Sequence, residues 1–334
     1  MRKRVTIVLA VLLLAGVAAV AWYLLHPEPA FQSKPVSLWL QQKADGSGDW
    51  REVTNALYQI GPRAVPYVVS SLRWNNSRLA KLYRQAWPQL PGFLRKTLPQ
   101  PRKPFTDVVA VNAFRDMGPG VIPSLTPLLK NDDAVVRSCA AWALESFQRS
   151  GQGDAVDIAA LIRALTDPDA KVRLNAARAL GAFGPEADAA IEPLIGRLKD
   201  DEKGTEKGSV VYVRAAAARS LGRIGPKAKA AAPMLSALSN DPHLYTRMEA
   251  TIALWRIERN VSATLPLLID HLSKVGENSK WEIFEALAEM GSAAEDAVPA
   301  ITADLKSQNP EVRQRAAEAL WKIDPEAADE AGIK

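Results

Sequence analysis

The sequence predicts an all-α fold: a right-handed α–α superhelix, or solenoid, of about eight helical hairpins, preceded by one N-terminal transmembrane helix. Three observations predict it. A two-helix pattern fills residues 167–200, a basic residue recurs at a nearly constant interval through the rest of the chain, and a long uncharged apolar run follows a basic N-terminus. Helical units that repeat at this length stack into solenoids, because one unit cannot bury its own apolar faces.

The repeating unit is clearest in residues 167–200. Apolar side chains recur at three- and four-residue spacing in two stretches, Val172–Phe183 and Ile191–Leu198, so each stretch predicts an amphipathic helix. The stretches are separated by Gly184 and Pro185. Glycine can take the left-handed conformation that ends a helix, and proline can begin a helix but cannot continue one. The segment therefore predicts a helical hairpin.

A basic residue near the start of each first helix, called here the anchor, marks the register of the repeat. Neighbouring anchors lie 33 residues (Arg214 to Arg247) to 41 residues (Arg173 to Arg214) apart. Gly-Pro pairs beginning at Gly61 and Gly118 add two units whose anchor positions are Trp50 and Asp107, which gives eight units. The six basic anchors are Arg137, Arg173, Arg214, Arg247, Lys280 and Arg313.

Three segments carry a resemblance to a known family: DAKVRLNAARALGAFGPEA, SVVYVRAAAARSLGRIGPKA and PEVRQRAAEALWKIDPEA. Through them the chain resembles bacterial HEAT-repeat proteins, most closely the phycobilisome-lyase HEAT-like type, from about Trp50 to the C-terminus. The resemblance implies that the six anchors form a structural ladder with acidic side chains of neighbouring units. The acidic candidates are Asp133, Asp167, Asp169 and Asp241. Function is specified only weakly, because fold and function are separable.

The N-terminus predicts a membrane anchor. Arg2, Lys3 and Arg4 precede Val5–Leu25, a run of 21 uncharged residues, which is long enough to cross a bilayer. Basic residues before the span keep the N-terminus in the cytoplasm and send the solenoid out. The alternative is a signal peptide cleaved at Ala21, which would release a secreted protein. Both interpretations place the repeats outside the cytoplasm.

The rest of the chain divides into two predicted parts. Residues 26–49 form a tether, and residues 50–334 form the repeat array. Within the tether, residues 35–42 predict a short amphipathic helix that caps the open end of the first repeat through Val36, Leu38, Trp39 and Leu40, since a terminal unit must hide one apolar face without a neighbour. In the alternative interpretation, Trp39 lies on the membrane surface.

An insertion at about residues 74–104 separates the first two units. It is rich in basic residues interleaved with aromatic ones, and no acidic residue occurs between Val53 and Thr106. One interpretation is a solvated basic helix whose aromatic side chains pack on the edge of the solenoid. The other is a docking surface for anionic lipid or an acidic partner, and lipid is favoured by the nearby membrane segment. The candidate binding residues are Arg78, Lys81, Arg84, Trp87, Phe93, Arg95 and Lys96.

Charge is divided unevenly along the chain. Residues 1–106 hold 15 Lys and Arg against 4 Asp and Glu, a balance of +11, so residues 107–334 carry 5 − 11 = −6. A nucleic-acid-binding face needs a basic stripe along the repeats. The mildly acidic array therefore argues against a nucleic-acid partner.

The sequence offers little for catalysis. The histidines His26, His243 and His271 lack the close spacing of a zinc site, and the lone Cys139 predicts a small buried residue. No phosphate-binding glycine loop or nucleophile motif is present, so neither cofactor, metal nor catalytic residue is predicted.

Two functions follow. The first is a membrane-anchored, extracytoplasmic, non-catalytic scaffold that binds an unidentified protein on a concave groove formed by the second helices. The second is an enzyme or enzyme chaperone of the bilin-lyase HEAT-like type, which the resemblance alone implies. The candidate groove residues are Glu192, Arg197, Asp270, His271, Lys274, Asp304 and Lys306.

Overall fold

A computed structural model describes residues 28–98, 100–101, 103–206 and 209–333. The protein is mostly helical and divides into two compact units, one up to Ser124 and one from Leu125 onwards. The predicted membrane anchor, residues 1–25, lies outside the described residues. Within them, every helix is too short or too polar to cross a bilayer.

The first unit contains the capping element and two helical hairpins. Strands β1 (Ala30–Phe31) and β2 (Lys34–Pro35) pair antiparallel before the first helix. The helices are α1 (Val36–Asp45), α2 (Trp50–Ile60), α3 (Val65–Asn76), α4 (Arg78–Ala86), α5 (Gly92–Thr97), α6 (Asp107–Asp116) and α7 (Ile122–Leu125), with 3₁₀ turns at Gly61–Ala64, Trp87–Gln89 and Pro119–Val121. Helices α2 and α3 form one hairpin, and α6 and α7 form the next.

Helix α1 covers α2 and α6, so it acts as the cap of the first unit. Val36, Trp39 and Leu40 are buried, and the indole Nε1 of Trp39 donates a hydrogen bond to the carbonyl of Lys34 at 3.1 Å. Trp39 is therefore not available to a membrane surface. The prediction that Leu38 joins this contact is wrong, because Leu38 points to the exposed side of the helix and is 42% exposed.

The second unit contains six helical hairpins, each with a long first helix. The elements are α8 (Ala134–Arg149), α9 (Ile158–Ala164), α10 (Ala170–Ala182), α11 (Ile191–Arg197), β3 (Lys203–Glu206), β4 (Ser209–Tyr212), α12 (Val213–Ile224), α13 (Ala232–Leu238), α14 (Leu244–Glu258), α15 (Val261–Lys274), α16 (Glu277–Met290), α17 (Val298–Asp304), α18 (Pro310–Ile323) and α19 (Pro325–Glu330). A 3₁₀ turn at Thr126–Lys130 precedes them. Even-numbered helices from α8 to α18 are the first helices and begin near the anchors, and the odd-numbered ones are the second helices.

Three hairpin corners in the second unit are longer than the sequence predicts. Gly184 and Gly225 end first helices with φ of 56° and 79°, conformations that glycine adopts without strain. A 3₁₀ stretch follows each of them, Gly184–Ala190 and Gly225–Ala231, and a third occupies Gly291–Ala297. Proline after the glycine therefore begins a 3₁₀ turn and not the second helix itself.

The charged, glycine-rich composition of residues 201–209 predicts a flexible surface loop, but the segment contributes to a two-stranded antiparallel hairpin. Strands β3 and β4 pair from Lys203 opposite Tyr212 to Glu206 opposite Ser209. The sequence before α12 is rich in β-branched and aromatic residue types, which favour extended backbone. Backbone hydrogen bonds at the base of the hairpin, from Val213 N to the carbonyl of Glu202 at 2.9 Å, attach it to the repeat.

The first helices approach one another closely. A Cβ atom on Gly181 would lie 2.9 Å from the Cα of Ser220, and one on Gly222 would lie 2.8 Å from the Cα of Ala253. Ser220 Oγ also donates to the carbonyl of Ala177 at 2.7 Å, which joins α12 to α10. Only small residues fit at these crossings, so the first helices form a tightly packed layer, and the second helices pack chiefly on that layer.

Replacing Gly222 with alanine should destabilise the second unit. The new methyl group would meet the backbone of α14, which cannot rotate away, so we expect the free energy of unfolding to fall by about 1–3 kcal/mol. Chemical denaturation followed by circular dichroism measures the change.

Gly196 provides the control, because a Cβ atom there meets nothing within 4 Å. Gly196→Ala in helix α11 should be neutral or stabilise by about 0.5–1 kcal/mol, since alanine restricts the unfolded chain. Equal stability of the Gly222→Ala and Gly196→Ala proteins would contradict the close packing described for the first helices.

Candidate functional site

The basic insertion forms helices α4 and α5 in the first unit. Ser77 caps α4, because its hydroxyl accepts a hydrogen bond from the amide of Ala80 at 3.1 Å. Proline residues at 88 and 91 interrupt the helical pattern before α5 begins at Gly92. The sequence pattern predicts a helix at about residues 77–87, and the structure confirms it with bounds Arg78–Ala86.

The insertion exposes apolar and basic side chains together. Phe93 is 68% exposed and Leu79 is 70% exposed, and Leu82 is exposed as well. Monomeric proteins seldom display adjacent large apolar side chains without a partner. The interpretation in which the aromatic side chains all pack inside is wrong for Phe93. The exposed basic side chains are Arg78, Lys81, Arg95 and Lys96.

Two of the seven candidate residues have internal partners instead. The guanidinium of Arg84 donates to the carbonyl of Asn75 at 2.8 Å and to its side-chain oxygen at 3.0 Å. Trp87 packs edge-on against Tyr83, with ring centroids 5.7 Å apart. Both residues hold the insertion together, so they are less available to an external ligand than the four exposed basic residues.

A cleft of about 350 Å³ opens between α1, α3 and the insertion. Its walls include Leu40, Trp74, Tyr83 and Phe105, so the interior is largely apolar. At its rim, Lys103 Nζ donates to the carbonyl of Asp45 at 2.9 Å. Hydrogen bonds from Ser47, first of all, hold the pKa of Asp45 below its ordinary value. The cleft thus offers apolar space beside positive charge.

In the second unit, three arginine anchors each bind an aspartate in the loop that joins their own hairpin to the next first helix. Arg137 Nε donates to Asp167 Oδ2 at 2.7 Å, and its Nη2 donates to Oδ1 of the same carboxylate at 2.9 Å. Arg173 binds Asp200 in the same way, at 2.7 and 3.2 Å. This two-point contact matches the planar fork of arginine to a carboxylate. The third pair is Arg214 with Asp241, at 2.8 and 3.3 Å.

The pairs join into a ladder, because Arg137, Arg173 and Arg247 also bind the backbone before their own helices. Arg173 Nη1 donates to the carbonyl of Asp167 at 2.8 Å, so Asp167 contacts Arg137 through its side chain and Arg173 through its backbone. Asp241 does the same between Arg214 and Arg247. The hydrogen bond to Asp200, above all, raises the pKa of Arg173. Consecutive units are thereby fixed at their loops.

The ladder differs in part from the sequence prediction. Asp133 and Asp169, expected as ladder partners, are helix N-caps: Asp133 accepts from Val135 N and Asp169 from Lys171 N. Asp200 and Asp304 are the partners that sequence reasoning missed, and Asp304 accepts from Lys280 Nζ. Arg247 and Arg313 have only carbonyl partners in the described hydrogen bonds.

The predicted groove residues lie on second helices and are mostly in local ion pairs. Arg197 Nη1 lies 3.4 Å from Asp200, and Lys274 Nζ lies 2.6 Å from Asp270. Glu192 and Lys306 are exposed, on α11 and just after α17. The contacts therefore do not bring these residues together into one binding group.

His271 was predicted to face the groove, and that prediction is wrong. Its side chain is buried, because its position on α15 points toward α14, where Nε2 lies 3.5 Å from Thr251 Oγ1. Burial, first of all, holds the pKa of His271 below its ordinary value, and the positive charges of Arg247 and Lys274 act in the same direction. His271 is a neutral core residue.

A charged surface of the second unit was missed by sequence reasoning; it lies on the first helices, and its members Arg219, Glu249 and Glu282 are buried. Its charged residues lie two, five or nine residues after the anchors Arg173, Arg214, Arg247 and Lys280, which is the signal that could have found it. We call this surface the first-helix face. Its charged members are Arg178, Arg219, Arg223, Glu249, Arg256, Glu282, Glu285 and Glu289.

Arg219 lies at the centre of this face. Its Nε donates to Glu249 Oε1 at 2.9 Å, and its Nη2 contacts Glu282 and the hydroxyl of Tyr245. Burial opposes the charge of Arg219, but the attraction of Glu249, Tyr245 and Glu282 outweighs it and raises the pKa. The cluster joins α12, α14 and α16. Near α8, buried Glu145 accepts from Arg178 and Arg149 in a similar way.

One end of the first-helix face opens into a cleft of about 310 Å³, called here the arginine cleft. Arg256 is paired there with Glu289 at 2.7 Å and with Glu285 at 3.2 Å. Arg223 is half-buried and makes no hydrogen bond or ion pair with the described residues. The cleft is lined by Gly222, Arg223, Arg256, Arg259, Glu285 and Glu289, together with the hairpin corners.

The described residues contain no group of three or more His, Cys, Asp or Glu side chains placed to hold a metal ion. Cys139 is a buried thiol, as predicted. The arrangement of the first-helix face suits the recognition of charged groups, since its side chains are fixed by neighbouring helices before a ligand arrives.

Breaking the ladder should destabilise the second unit. Arg173→Ala would leave Asp200 as a largely buried carboxylate without its main partner, so we expect the free energy of unfolding to fall by about 3–5 kcal/mol. The double substitution Arg173→Ala with Asp200→Ala should recover part of that loss. Denaturation of the four proteins of this cycle gives the coupling energy.

Arg313→Ala is the matched control, because Arg313 is exposed and donates only to carbonyls in the described contacts. Its removal should cost about 1 kcal/mol or less. A coupling energy near zero for Arg173 and Asp200 would contradict the ladder as a source of stability.

His271 should make the stability depend on pH. The unfolded chain protonates this histidine near its free pKa of about 6.5, whereas the folded chain resists protonation. The unfolded state therefore binds more protons below that pH, and the free energy of unfolding should fall on acidification, by at most about 1.4 kcal/mol per pH unit. Denaturation at about pH 7.5 and pH 5.5 measures it.

His271→Gln should flatten this dependence, and His243→Gln should not, because His243 is exposed on the loop before α14. The same slope in the wild-type and His271→Gln proteins would show that His271 does not resist protonation in the folded state.

The comparisons agree with the repeats seen in the fold. A family model for HEAT repeats matches residues 122–211 and 205–288. No curated protein matches the chain. Many solved structures are similar to it, and three of them show the range of the likeness. An engineered protein is 24% identical, with 63% of this chain and 97% of that chain covered and a TM-score of 0.39. The CpcE–CpcF complex of phycocyanin lyase from Nostoc sp. PCC7120 is 22% identical, with 78% and 91% covered and a TM-score of 0.46.

The third is a designed armadillo repeat protein in complex with the peptide (KR)4, which is 20% identical, with 61% of this chain and 99% of that chain covered and a TM-score of 0.39. At these identities and TM-scores, the three structures carry no functional argument. The family model does identify the chain, because its matches together span residues 122–288, which is 167 of 334 residues, or half. The protein belongs to the HEAT-repeat family.

Proposed function

We propose that the protein is a non-catalytic HEAT-repeat scaffold that is anchored in a membrane, lies on its extracytoplasmic side and binds a protein partner. The observation that carries the proposal is the insertion in the first unit, where exposed Arg78, Lys81, Arg95 and Lys96 surround exposed Phe93. Basic and aromatic side chains in this combination suit the surface of an anionic bilayer.

The N-terminal sequence supports the anchor and its orientation. Three basic residues precede the uncharged run Val5–Leu25, which favours an exported chain. Cleavage at Ala21 would instead produce a secreted protein with the same repeats. A reporter that is active only in the cytoplasm, fused after Lys334, should be inactive, and a strong signal would contradict export.

The exposed basic and apolar side chains of the insertion support contact with the membrane in addition to the N-terminal anchor. Each basic side chain near an anionic surface contributes about 1 kcal/mol, and the attraction falls away within about a Debye length. Four such residues could therefore hold the first unit on the bilayer. Phe93 and Leu79 would add apolar contact at the interface, since both are already exposed to solvent.

The partner-binding face is better placed on the first helices than on the second helices that the sequence favoured. First helices approach one another through Gly181 and Gly222, whereas the second helices pack chiefly on the first-helix layer. A stack of such units curves toward the more closely spaced layer. The first-helix face would therefore line the inner side of that curve, and its side chains are preorganised by Arg219 and Glu249.

Membrane contact can be measured with a chain that begins at His26 and lacks the N-terminal apolar run. We expect it to sediment with vesicles that contain anionic lipid at low salt and to be released as salt rises. Changing Arg78, Lys81, Arg95 and Lys96 to Gln should weaken binding by roughly two to three orders of magnitude, since four contributions are lost.

The control removes four exposed basic residues from the second unit by changing Lys199, Lys306, Arg315 and Lys322 to Gln. Net charge falls by the same amount, but vesicle binding should stay within about twofold of the unaltered chain, because these residues lie outside the insertion. Equal loss of binding in both proteins would refute a specific membrane-docking role for the insertion.

A further inference from the structure

The arginine cleft holds more positive charge than its own carboxylates neutralise. Three guanidinium groups line it, from Arg223, Arg256 and Arg259, against the carboxylates of Glu285 and Glu289. Both carboxylates lie within ion-pair distance of Arg256, at 3.2 and 2.7 Å. Arg223 and Arg259 have no carboxylate partner among the described residues, so the cleft presents two guanidinium groups whose charge is not balanced locally.

Arg223 is in an unusual environment for such a group. It follows Gly222 in helix α12 and is half-buried between hairpins. Burial, first of all, lowers the pKa of Arg223; the charges of Arg219, Arg149 and Arg256 lower it further, and the charge of Glu249 opposes them only in part. A buried or half-buried charged group is usually paired with an opposite charge. Removing the group from water has an unfavourable free energy, and the attraction of a counter-charge offsets it. The cleft therefore lacks a counter-charge in direct contact with Arg223 among the described residues.

Arg259 lies across the same cleft in a fixed position. Its backbone takes a left-handed conformation, with φ of 57°, where α14 ends. Its guanidinium sits 4.9 Å from the ring centre of Trp255, which restrains the side chain by a cation–π contact. Half-buried Arg223 and exposed Arg259 thus line one open space of about 310 Å³.

The geometry points to a carboxylate of an acidic protein segment as the missing counter-charge. We propose that a Glu- or Asp-rich segment of the partner binds along the first-helix face and places one carboxylate between Arg223 and Arg259. Guanidinium groups bind carboxylates through two parallel hydrogen bonds, so both arginine forks suit this ligand. With Glu285 and Glu289 the net charge of the cleft is about +1, so one added carboxylate neutralises it.

This inference rests on the proposed binding function and adds the chemistry of the partner. It is independent of the basic insertion, which lies in the first unit and would act on lipid. The two can therefore fail separately: vesicle binding tests the insertion, and peptide binding tests the arginine cleft.

The test uses the full-length protein in neutral detergent micelles, with Arg78, Lys81, Arg95 and Lys96 changed to Gln so that the insertion does not attract the probe. The probe is fluorescein-labelled hexaglutamate, and binding is measured by fluorescence anisotropy at low salt. We expect saturable binding that weakens as salt rises. Arg223→Gln with Arg259→Gln should raise the Kd at least about tenfold.

Matched variants make the result specific. Arg163→Gln with Arg315→Gln removes two exposed arginines elsewhere in the second unit and should leave the Kd within about twofold. Glu285→Gln removes a competing carboxylate that is 48% exposed, so it should tighten binding several-fold. A gain of affinity cannot result from misfolding, and therefore separates a binding role from a structural one.

Three outcomes would overturn the inference: no saturable binding of hexaglutamate, unchanged affinity after both arginines are replaced, or displacement of the probe by inorganic phosphate at concentrations below those at which unlabelled hexaglutamate displaces it. The last outcome would assign the cleft to phosphate. Continued vesicle binding by the Arg223→Gln, Arg259→Gln protein with its insertion intact would show that the membrane proposal stands independently.

Discussion

The close approach of the first helices is the constraint on which the second unit depends. Gly181 and Gly222 lie where a methyl group would collide with the neighbouring helix. Adding a methyl group to an interior packed at this density lowers the stability of the fold. The crossing positions are therefore restricted to small residues. Larger side chains are therefore displaced to the positions between the crossings. This explains why the charged residues of the first helices collect on one face.

The anchor ladder complements this packing at the loops. Small apolar contacts set the distance between helices but specify their rotation poorly, whereas the two-point contacts of Arg137 and Arg173 with carboxylates are directional. Each of these arginines also binds the backbone of its own loop, so one side chain positions two units. The cost is that Asp167 and Asp200 must remain charged inside the structure.

The sequence predicts the hairpins and their register well, because helical periodicity and Gly-Pro corners are local signals. It fails where partners are set by three-dimensional contact. Asp200 shares the loop position of Asp167 after a second helix but is followed by the insertion, whereas Asp304 lies at the end of a second helix. The sequence predicts that His271 is a polar surface residue, but its position on α15 places its side chain in the core. The first-helix face was missed because its charged residues are spread over several first helices. They form a cluster only when those helices pack side by side.

The two charged surfaces act by different physics. The exposed residues of the insertion are individually weak and screened by salt, so only their number and their nearness to a surface give them effect. Arg223 is half-buried among other arginines, where the effective dielectric constant is lower and a single counter-charge has a larger influence. Removing one basic residue should therefore matter little in the insertion and much in the cleft. The insertion, where many weak charges add up, suits binding to a membrane. The arginine cleft, where one buried position dominates, suits binding to a specific protein segment.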